Sequence, residues 1–368
     1  MAAPSDAPSS GREQRILEII ETTRAKRPKL KDERVTMAHG AGGKATQTLI
    51  EGLFVPAFDP AGAGLAELGD AGVVTVEGSP IAITTDSFVV SPIRFPGGSI
   101  GELAVNGTVN DLAVAGARPT AISVALILEE GLQFDVLRRE VEAIAEAAAA
   151  AGVEIVSGDT KVVERGHADQ LYITTTGVGV VDRRASLSPA AIRAGDQVLV
   201  SGPIGEHGTA IMLARDEFQL DADIESDTQP LWAAADALLG AAGDDLRCMR
   251  DATRGGVATV LNELARASGV AIVAREGDVP VGPAVAGAAE LLGIDPMYVA
   301  NEGRLVAFVA PEAADTALRA LRAVPGSEEG ALVGEVRSEP QGMVLVETAF
   351  GGTRVMDLLA GDPLPRIC

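Results

Sequence analysis

Apolar residues recur at two spacings along the chain, and the switches between them mark its elements. Residues 72–76 and 80–85 run in short β-branched stretches around Glu77-Gly78-Ser79, which predicts a hairpin. Ser99 stands three residues before Glu102, a spacing at which the two side chains satisfy each other's backbone amides, so a helix starts there; Gly116 and Pro119 end it. Residues 121–128 are an apolar, β-branched run with Ser123 inside it, the mark of a buried strand, and Phe134, Leu137, Val141, Ile144 and Ala148 then follow at helical spacing as far as Gly152. Two further strands are expected at 153–156 and 171–181.

Turn signals at Leu187-Ser188-Pro189 and Ala194-Gly195-Asp196 flank a change of composition and predict a boundary over 189–195. Alternation then resumes. Strands are expected at 198–201, 270–273, 304–309, 331–336 and 343–346, and helices at 205–214, 231–239, after Gly256, at 284–292 and at 313–322. Gly351, Gly352, Gly361, Pro363 and Pro365 make 350–368 a hinged tail rather than a core element. Residues 1–34 read as an extension, polar at its start, with a short solvated helix around Ile19 and Ile20 and a basic stretch over 24–31. The expected organisation is therefore an extension (1–34), two α+β domains (35–188 and 189–349) and a tail (350–368), with no visible repeat between the domains.

Charge narrows the function. A net charge of -22 argues against nucleic acid or an anionic membrane as partner, because both are polyanions. No apolar run approaches the roughly 18 residues of a membrane span, and the polar start lacks the apolar stretch of a signal peptide. The two cysteines, Cys248 and Cys368, give no disulfide framework and fit a reducing cytoplasm. Cys248 is expected to pack in the second domain. Cys368, the last residue of the sequence, places a thiol on the tail, where it suits a carrier.

Candidate chemistry lies in short acidic and glycine-rich segments. Asp86 ends a strand, Asp111 follows Asn106 and Asn110 on a helix, and Asp159 follows a strand; three carboxylates at element ends suit Mg²⁺, which takes a few oxygen ligands and keeps room for water and phosphate oxygens. Taken singly, each is also a common cap or turn residue. In His39-Gly40-Ala41-Gly42-Gly43-Lys44, backbone amides can approach a phosphate that Lys44 neutralises, although a plain turn has the same composition. Asp251-Ala252-Thr253-Arg254-Gly255-Gly256 opens a helix, where unpaired N–H groups bind anions; Thr253 as an N-cap is the simpler use of it. Lys161 after Asp159-Thr160, and Glu302 in Asn301-Glu302-Gly303, set a cation and an acid beside turns. His39, His167 and His207 lack metal-ligand spacing and are read as bystanders.

Taken in order, Gly42-Gly43-Lys44, Thr85-Asp86-Ser87, the segment from Asn106 to Leu112, Gly158-Asp159-Thr160-Lys161, the segment from Asp251 to Gly256, Asn301-Glu302-Gly303 and Pro365-Arg366-Ile367-Cys368 resemble the HypE family of hydrogenase maturation proteins. The resemblance runs from about Val35 to Cys368 and leaves 1–34 outside. Most of these motifs recur in the PurM-like superfamily of aminoimidazole ribonucleotide and selenophosphate synthetases, whereas the final Arg-Ile-Cys is particular to the HypE family. It implies a homodimer whose N-terminal strands form a shared barrel, with a C-terminal α/β sandwich beside it. ATP and Mg²⁺ would lie against Gly42, Gly43, Lys44, Asp86, Asp111, Asp159, Thr160, Asp251, Arg254, Gly255 and Gly256, with Asp86, Asp111 and Asp159 as metal ligands. It further implies that HypF places a carbamoyl group on Cys368, that ATP-dependent dehydration aided by Glu302 and Lys161 turns it into a thiocyanate, and that cyanide passes to a HypC–HypD complex for the iron of [NiFe] hydrogenase. The readings that compete with this one are a small-molecule synthetase or kinase of the superfamily and a non-catalytic adaptor docking by its tail. A selenophosphate synthetase fits less well, since no Cys or selenocysteine precedes Lys44.

Overall fold

The computed structural model describes residues 32–59, 69–215, 223–359 and 366–368. The helix expected around Ile19 lies outside the described residues, as do Gly361, Pro363 and Pro365.

The first domain is a five-stranded sheet in the order β1-β2-β7-β5-β6, formed by β1 (Gly72–Val76), β2 (Ser79–Phe88), β5 (Ala117–Glu129), β6 (Glu154–Val163) and β7 (Leu171–Val181). A two-stranded ribbon, β3 (Arg94–Phe95) with β4 (Gly98–Ser99), leads into the helix Ile100–Val114. The β1-β2 hairpin turns at Glu77 and Gly78, both at positive φ, which matches the right-handed twist of paired strands. The helices Ile100–Val114 and Phe134–Ala151 cover one face of this sheet, where Ile122, Val124, Leu171 and Ile173 are buried with Leu103, Val109 and Ile144. Its other face is open. Ser99 does begin the first helix, but its hydroxyl makes no capping bond and is buried without a hydrogen-bond partner; only the Glu102 carboxylate accepts from the Ser99 amide. The second helix ends as expected at Gly152 in the left-handed conformation. Its expected face is corrected at one end: Phe134 is 81% exposed and Val141 46%, while Glu140 is buried, accepting from Arg94 Nε at 2.7 Å and from the Gly101 amide at 3.2 Å.

In the second domain seven strands run in the order β14-β13-β10-β12-β8-β11-β9. They are β8 (Gln197–Val200), β9 (Leu246–Asp251), β10 (Ala271–Arg275), β11 (Leu305–Val309), β12 (Ala331–Arg337), β13 (Met343–Glu347) and β14 (Thr353–Met356). Alternation along β8 and β11 sorts the core. Val198, Val200, Val306 and Phe308 meet the helix Gly256–Ser268, and Leu199, Leu305, Ala307 and Val309 meet the helices Trp232–Ala242 and Pro311–Arg322. Cys248 is buried on the first of these faces, as expected. Ala113 and Val114, at the end of Ile100–Val114, join the second cluster, so that helix is shared by both domains.

Three features depart from the sequence reading. Residues 44–58, given no element above, coil into helical turns, Lys44–Leu49 and Val55–Phe58 with π-helical backbone between them. Strand β9 was not expected, because Arg247 and Arg250 interrupt its apolar run. The tail is not hinged from 350 onward: Thr353–Met356 pairs antiparallel with β13, and Ile367 is buried in the core of the first domain.

Candidate active site

Four aspartates and a glutamate meet where the two sheets approach each other. Asp70 stands just before β1, Asp86 near the end of β2, Asp111 on the last turn of Ile100–Val114, Asp251 at the end of β9 and Glu302 in the turn before β11. Carboxylate oxygens of Asp70, Asp111 and Asp251 lie within 4.8 Å of one another. Asp86 is hydrogen-bonded to Asp111. Thr84 Oγ1, 2.6 Å from Asp111 Oδ2 and 2.9 Å from the Asp70 carbonyl, ties the group to β2, and Arg250 pairs with Asp70 at 3.1 Å.

Burial and mutual repulsion act in the same direction here. Desolvation first, then the neighbouring carboxylates, push Asp111, Asp251 and Glu302 well above the ordinary carboxylate range, and burial raises Asp70 and Asp86 as well. Glu302 is held by its backbone, its amide donating to Asp227 Oδ1 at 3.0 Å and its carbonyl accepting from Asn110 Nδ2 at 3.1 Å, while Oε1 is buried with no hydrogen-bond partner. Clustered hard oxygen donors with an orphaned carboxylate beside them fit a divalent cation such as Mg²⁺.

A glycine-lined wall adjoins the acids. Gly42 has φ +74°, and a Cβ there would stand 2.8 Å from the Arg254 carbonyl, so the loop before Lys44 can lie against Arg254 only as glycine. Gly256 has φ +60°, and a Cβ on it would meet the Val299 carbonyl at 2.5 Å. Thr253 is not the N-cap of Gly256–Ser268; Gly255 is, with no side-chain cap, and this leaves the opening amides of the helix without that partner. Gly40, Gly42, Gly43, Arg254, Gly255 and Cys368 are among the residues lining a cavity of about 250 Å³. Lys44 Nζ pairs with Asp357 Oδ2 at 2.8 Å, and its amide donates to the Leu359 carbonyl at 3.1 Å, which fastens the chain beyond β14 to the glycine loop.

The end of the chain is docked against this cavity. The Val89 amide donates to a main-chain carboxylate oxygen of Cys368 at 3.1 Å and the Ser91 amide to the Arg366 carbonyl at 3.2 Å, an extension of β2 by the tail. Arg215 Nη2 donates to the same Arg366 carbonyl at 2.7 Å, and Arg366 pairs with Asp169 at 2.9 Å.

Of the expected site residues, Asp86, Asp111, Asp251 and Glu302 come together, and Gly42, Gly43, Arg254, Gly255 and Cys368 share one cavity. Asp159, Thr160 and Lys161 stand apart. Across the sheet Asp86 is level with Thr175, Val124 and Gly158, three strand spacings or about 14 Å away. Asp159 is level with Ala125, Thr174 and Ser87, the row on the opposite, open face, and its carboxylate is bound to Lys161 Nζ at the exposed edge. The expected trio of Asp86, Asp111 and Asp159 therefore does not form within one chain, because an odd step along a strand reverses the face. Asp70 was missed; its signal was a Gly-Asp turn immediately before the first hairpin strand. His207 was misread as a bystander, since it bonds the docked tail.

The fold and this acid-lined site define a two-domain protein of the AIR synthase related class, whose N-terminal domain model matches residues 68–181 and whose C-terminal domain model matches 193–347. The chain is 49% identical over 341 residues to a carbamoyl dehydratase HypE of Rhodobacter capsulatus, spanning 92% of this chain and 99% of that protein. It is 44% identical over 339 residues to the Escherichia coli K12 carbamoyl dehydratase HypE, spanning 91% and 99%. It belongs to the HypE family. Among solved structures, a HypE–HypF complex superposes with a TM-score of 0.80 at 42% identity, covering 84% of this chain and 99% of that one. A HypE bound to ATP gives a TM-score of 0.76 at 43% identity, covering 91% and 100%. Among the described residues, no helix is long and apolar enough to cross a membrane.

Proposed function

We propose that this chain is an ATP-dependent carbamoyl dehydratase acting on a carbamoyl group carried as a thioester by its own Cys368, and that it supplies cyanide for the iron of [NiFe] hydrogenase. The observation that carries this reading is the position of Cys368 in the wall of the cavity formed by Gly42, Gly43, Arg254 and Gly255. Support also comes from the names of the relatives and from the ATP complex of one of them. A docking adaptor would have no use for five clustered acids, two of them, Asp251 and Glu302, buried.

In the proposed reaction the carbamoyl oxygen attacks the γ-phosphorus of ATP and ADP leaves. The nitrogen then gives up both protons, the C–N bond becomes triple, and the C–O bond breaks with phosphate as leaving group, giving S–C≡N. Gly42, Gly43, Arg254, Gly255 and the amides opening Gly256–Ser268 would cradle the triphosphate, with Lys44 exchanging Asp357 for phosphate. Asp70, Asp111 and Asp251, with Asp86 behind them, would hold Mg²⁺, which when bound neutralises phosphate charge. Glu302 would take a proton from nitrogen once cationic charge beside it favours its ionised form. Asp159, Thr160 and Lys161 could enter such a site only from a second copy, and the open face of the first sheet, which exposes Ile83, Ile127 and Val180, suits the expected homodimeric barrel. HypF as carbamoyl donor, a HypC–HypD complex as acceptor, a cytoplasmic location, and a division at 34, 188 and 349 complete the reading.

Mass spectrometry of the C-terminal peptide after incubation with HypF, carbamoyl phosphate and ATP tests it. A carbamoyl adduct on Cys368 that then loses the mass of water is the expected result. An adduct that persists in folded protein with ATP and magnesium ions would overturn it.

A further inference from the structure

His207 lies on the helix Glu206–Ala214, fully buried, among residues whose packing needs no polar group: Ala210, Ile211 and Met212 of the same helix are core. Its Nε2 is 2.6 Å from the Ile367 carbonyl and its Nδ1 is 2.8 Å from Ser226 Oγ. The hydrogen-bond inventory fixes the directions. A carbonyl only accepts, so Nε2 carries the hydrogen; burial holds the ring neutral, with its pKa brought down to about 4, so Nδ1 accepts from the Ser226 hydroxyl. Ser226 Oγ in turn accepts the Thr228 amide at 3.2 Å, and the edge of Phe95 meets the imidazole with ring centres 5.5 Å apart. The imidazole is thus oriented on one side by a serine and on the other by an aromatic ring, with its single donor aimed at the tail.

We propose that His207, oriented by Ser226, is a positioning residue that holds the docked C-terminal arm by the Ile367 carbonyl. Its partner is what sets it apart from an ordinary satisfied core histidine. Ile367 is separated from it by 160 residues and belongs to the segment that carries the thiol. The bonds from His207, Val89, Ser91 and Arg215 all reach main-chain oxygens of residues 366–368, and among these described residues the buried side chain is Ile367. Through them the dock grips the arm by its main chain, and His207 sets how long the arm stays. A cycle in which the arm brings in and releases a carried group rests on the carrier reading above; the docking role itself does not.

The test is the alkylation rate of Cys368 by iodoacetamide in full-length protein on a Cys248→Ala background, without nucleotide or donor, followed by mass spectrometry. His207→Leu should alkylate about three- to tenfold faster, the factor set by one net hydrogen bond, and His207→Gln, which keeps a donor at that point, should stay near the parent rate. A parent-like rate in His207→Leu, or a His207→Gln as fast as the leucine variant, overturns the proposal. If His207→Leu does not fold, Ser226→Ala decides instead, because it leaves Nδ1 without its donor: at least a doubling supports the proposal and an unchanged rate sinks it. In carbamoyl-loaded protein, His207→Leu should slow single-turnover loss of water with the half-saturating ATP concentration unmoved. Should the parent itself fail to lose water, the dehydratase reading falls while the alkylation rates still judge the dock.

Discussion

Asp251 shows at the residue scale how function opposes stability in this chain. It is buried with Asp70, Asp86 and Asp111 nearby, and a cluster of this kind is tolerable only while it shares protons or a cation. Replacing it with Asn should raise the melting temperature in EDTA, by about 2–4 °C per kcal/mol of repulsion relieved, and abolish any stabilisation by ATP with magnesium ions; differential scanning fluorimetry measures both. Glu302→Gln is expected to keep nucleotide-induced stabilisation and to lower single-turnover dehydration about 10²–10⁴-fold, the usual contribution of a positioned base. Glu263 provides a pH signature. Desolvation, with the charge of Asp70 behind it, lifts its pKa from 4.5 to about 7 although the residue keeps more than a third of its surface exposed, so the folded state holds the proton more tightly than the unfolded one. Its stabilising share is complete below about pH 4.5 and is lost as pH rises through 7. The unfolding free energy of the parent minus that of Glu263→Gln should fall between pH 4.5 and 8, by less than the full shift implies because water screens the exposed side chain, measured by urea titration.

Single elements differ in how much of their role a sequence reveals. The helices Ile100–Val114 and Phe134–Ala151 and the hairpin were legible because turn residues and apolar period agree there. Asp159 was not placed correctly because the strand expected to end at Val156 runs on to Val163, and a strand's length decides which face each later residue takes. The tail was misjudged for a related reason: glycines and prolines mark breaks in a chain, yet a four-residue edge strand fits between them. Gly256 was legible as part of a motif, though the need for glycine lies in carbonyls 41 and 43 residues further along the chain, which no local pattern carries. Gly256→Ala should therefore destabilise the protein by about 1–3 kcal/mol or more in urea unfolding and remove nucleotide-induced stabilisation, whereas Gly277→Ala, with nothing within 4 Å of its added methyl, should do neither.

For the whole molecule, the informative surface is the open face of the five-stranded sheet. Strand β6 is exposed along nearly all its length, and Val156 and Val162 are among its largest exposed side chains, an unusual edge for a protein to leave uncovered. Val180→Arg on that face should convert a dimer into a monomer in light scattering after size exclusion, with loss of dehydration and little change in melting temperature beyond that of dimer loss. The proposed dimer rests on resemblance, because alternation names the open face of a sheet without saying what covers it.

The clamp of Lys44 on Leu359 gives the molecule a leash of known length. Nine residue steps lead from Leu359 to Cys368, a span of at most about 30 Å. A reactant confined to that radius is present at an effective concentration in the millimolar range whatever the cell supplies. Tight affinity between sulfur and pocket would be wasted on such a reactant, and would slow its departure. If Cys368 is the carrier proposed above, each chain holds one cargo at a time, and any enzyme that loads it must come within arm's reach of the glycine loop.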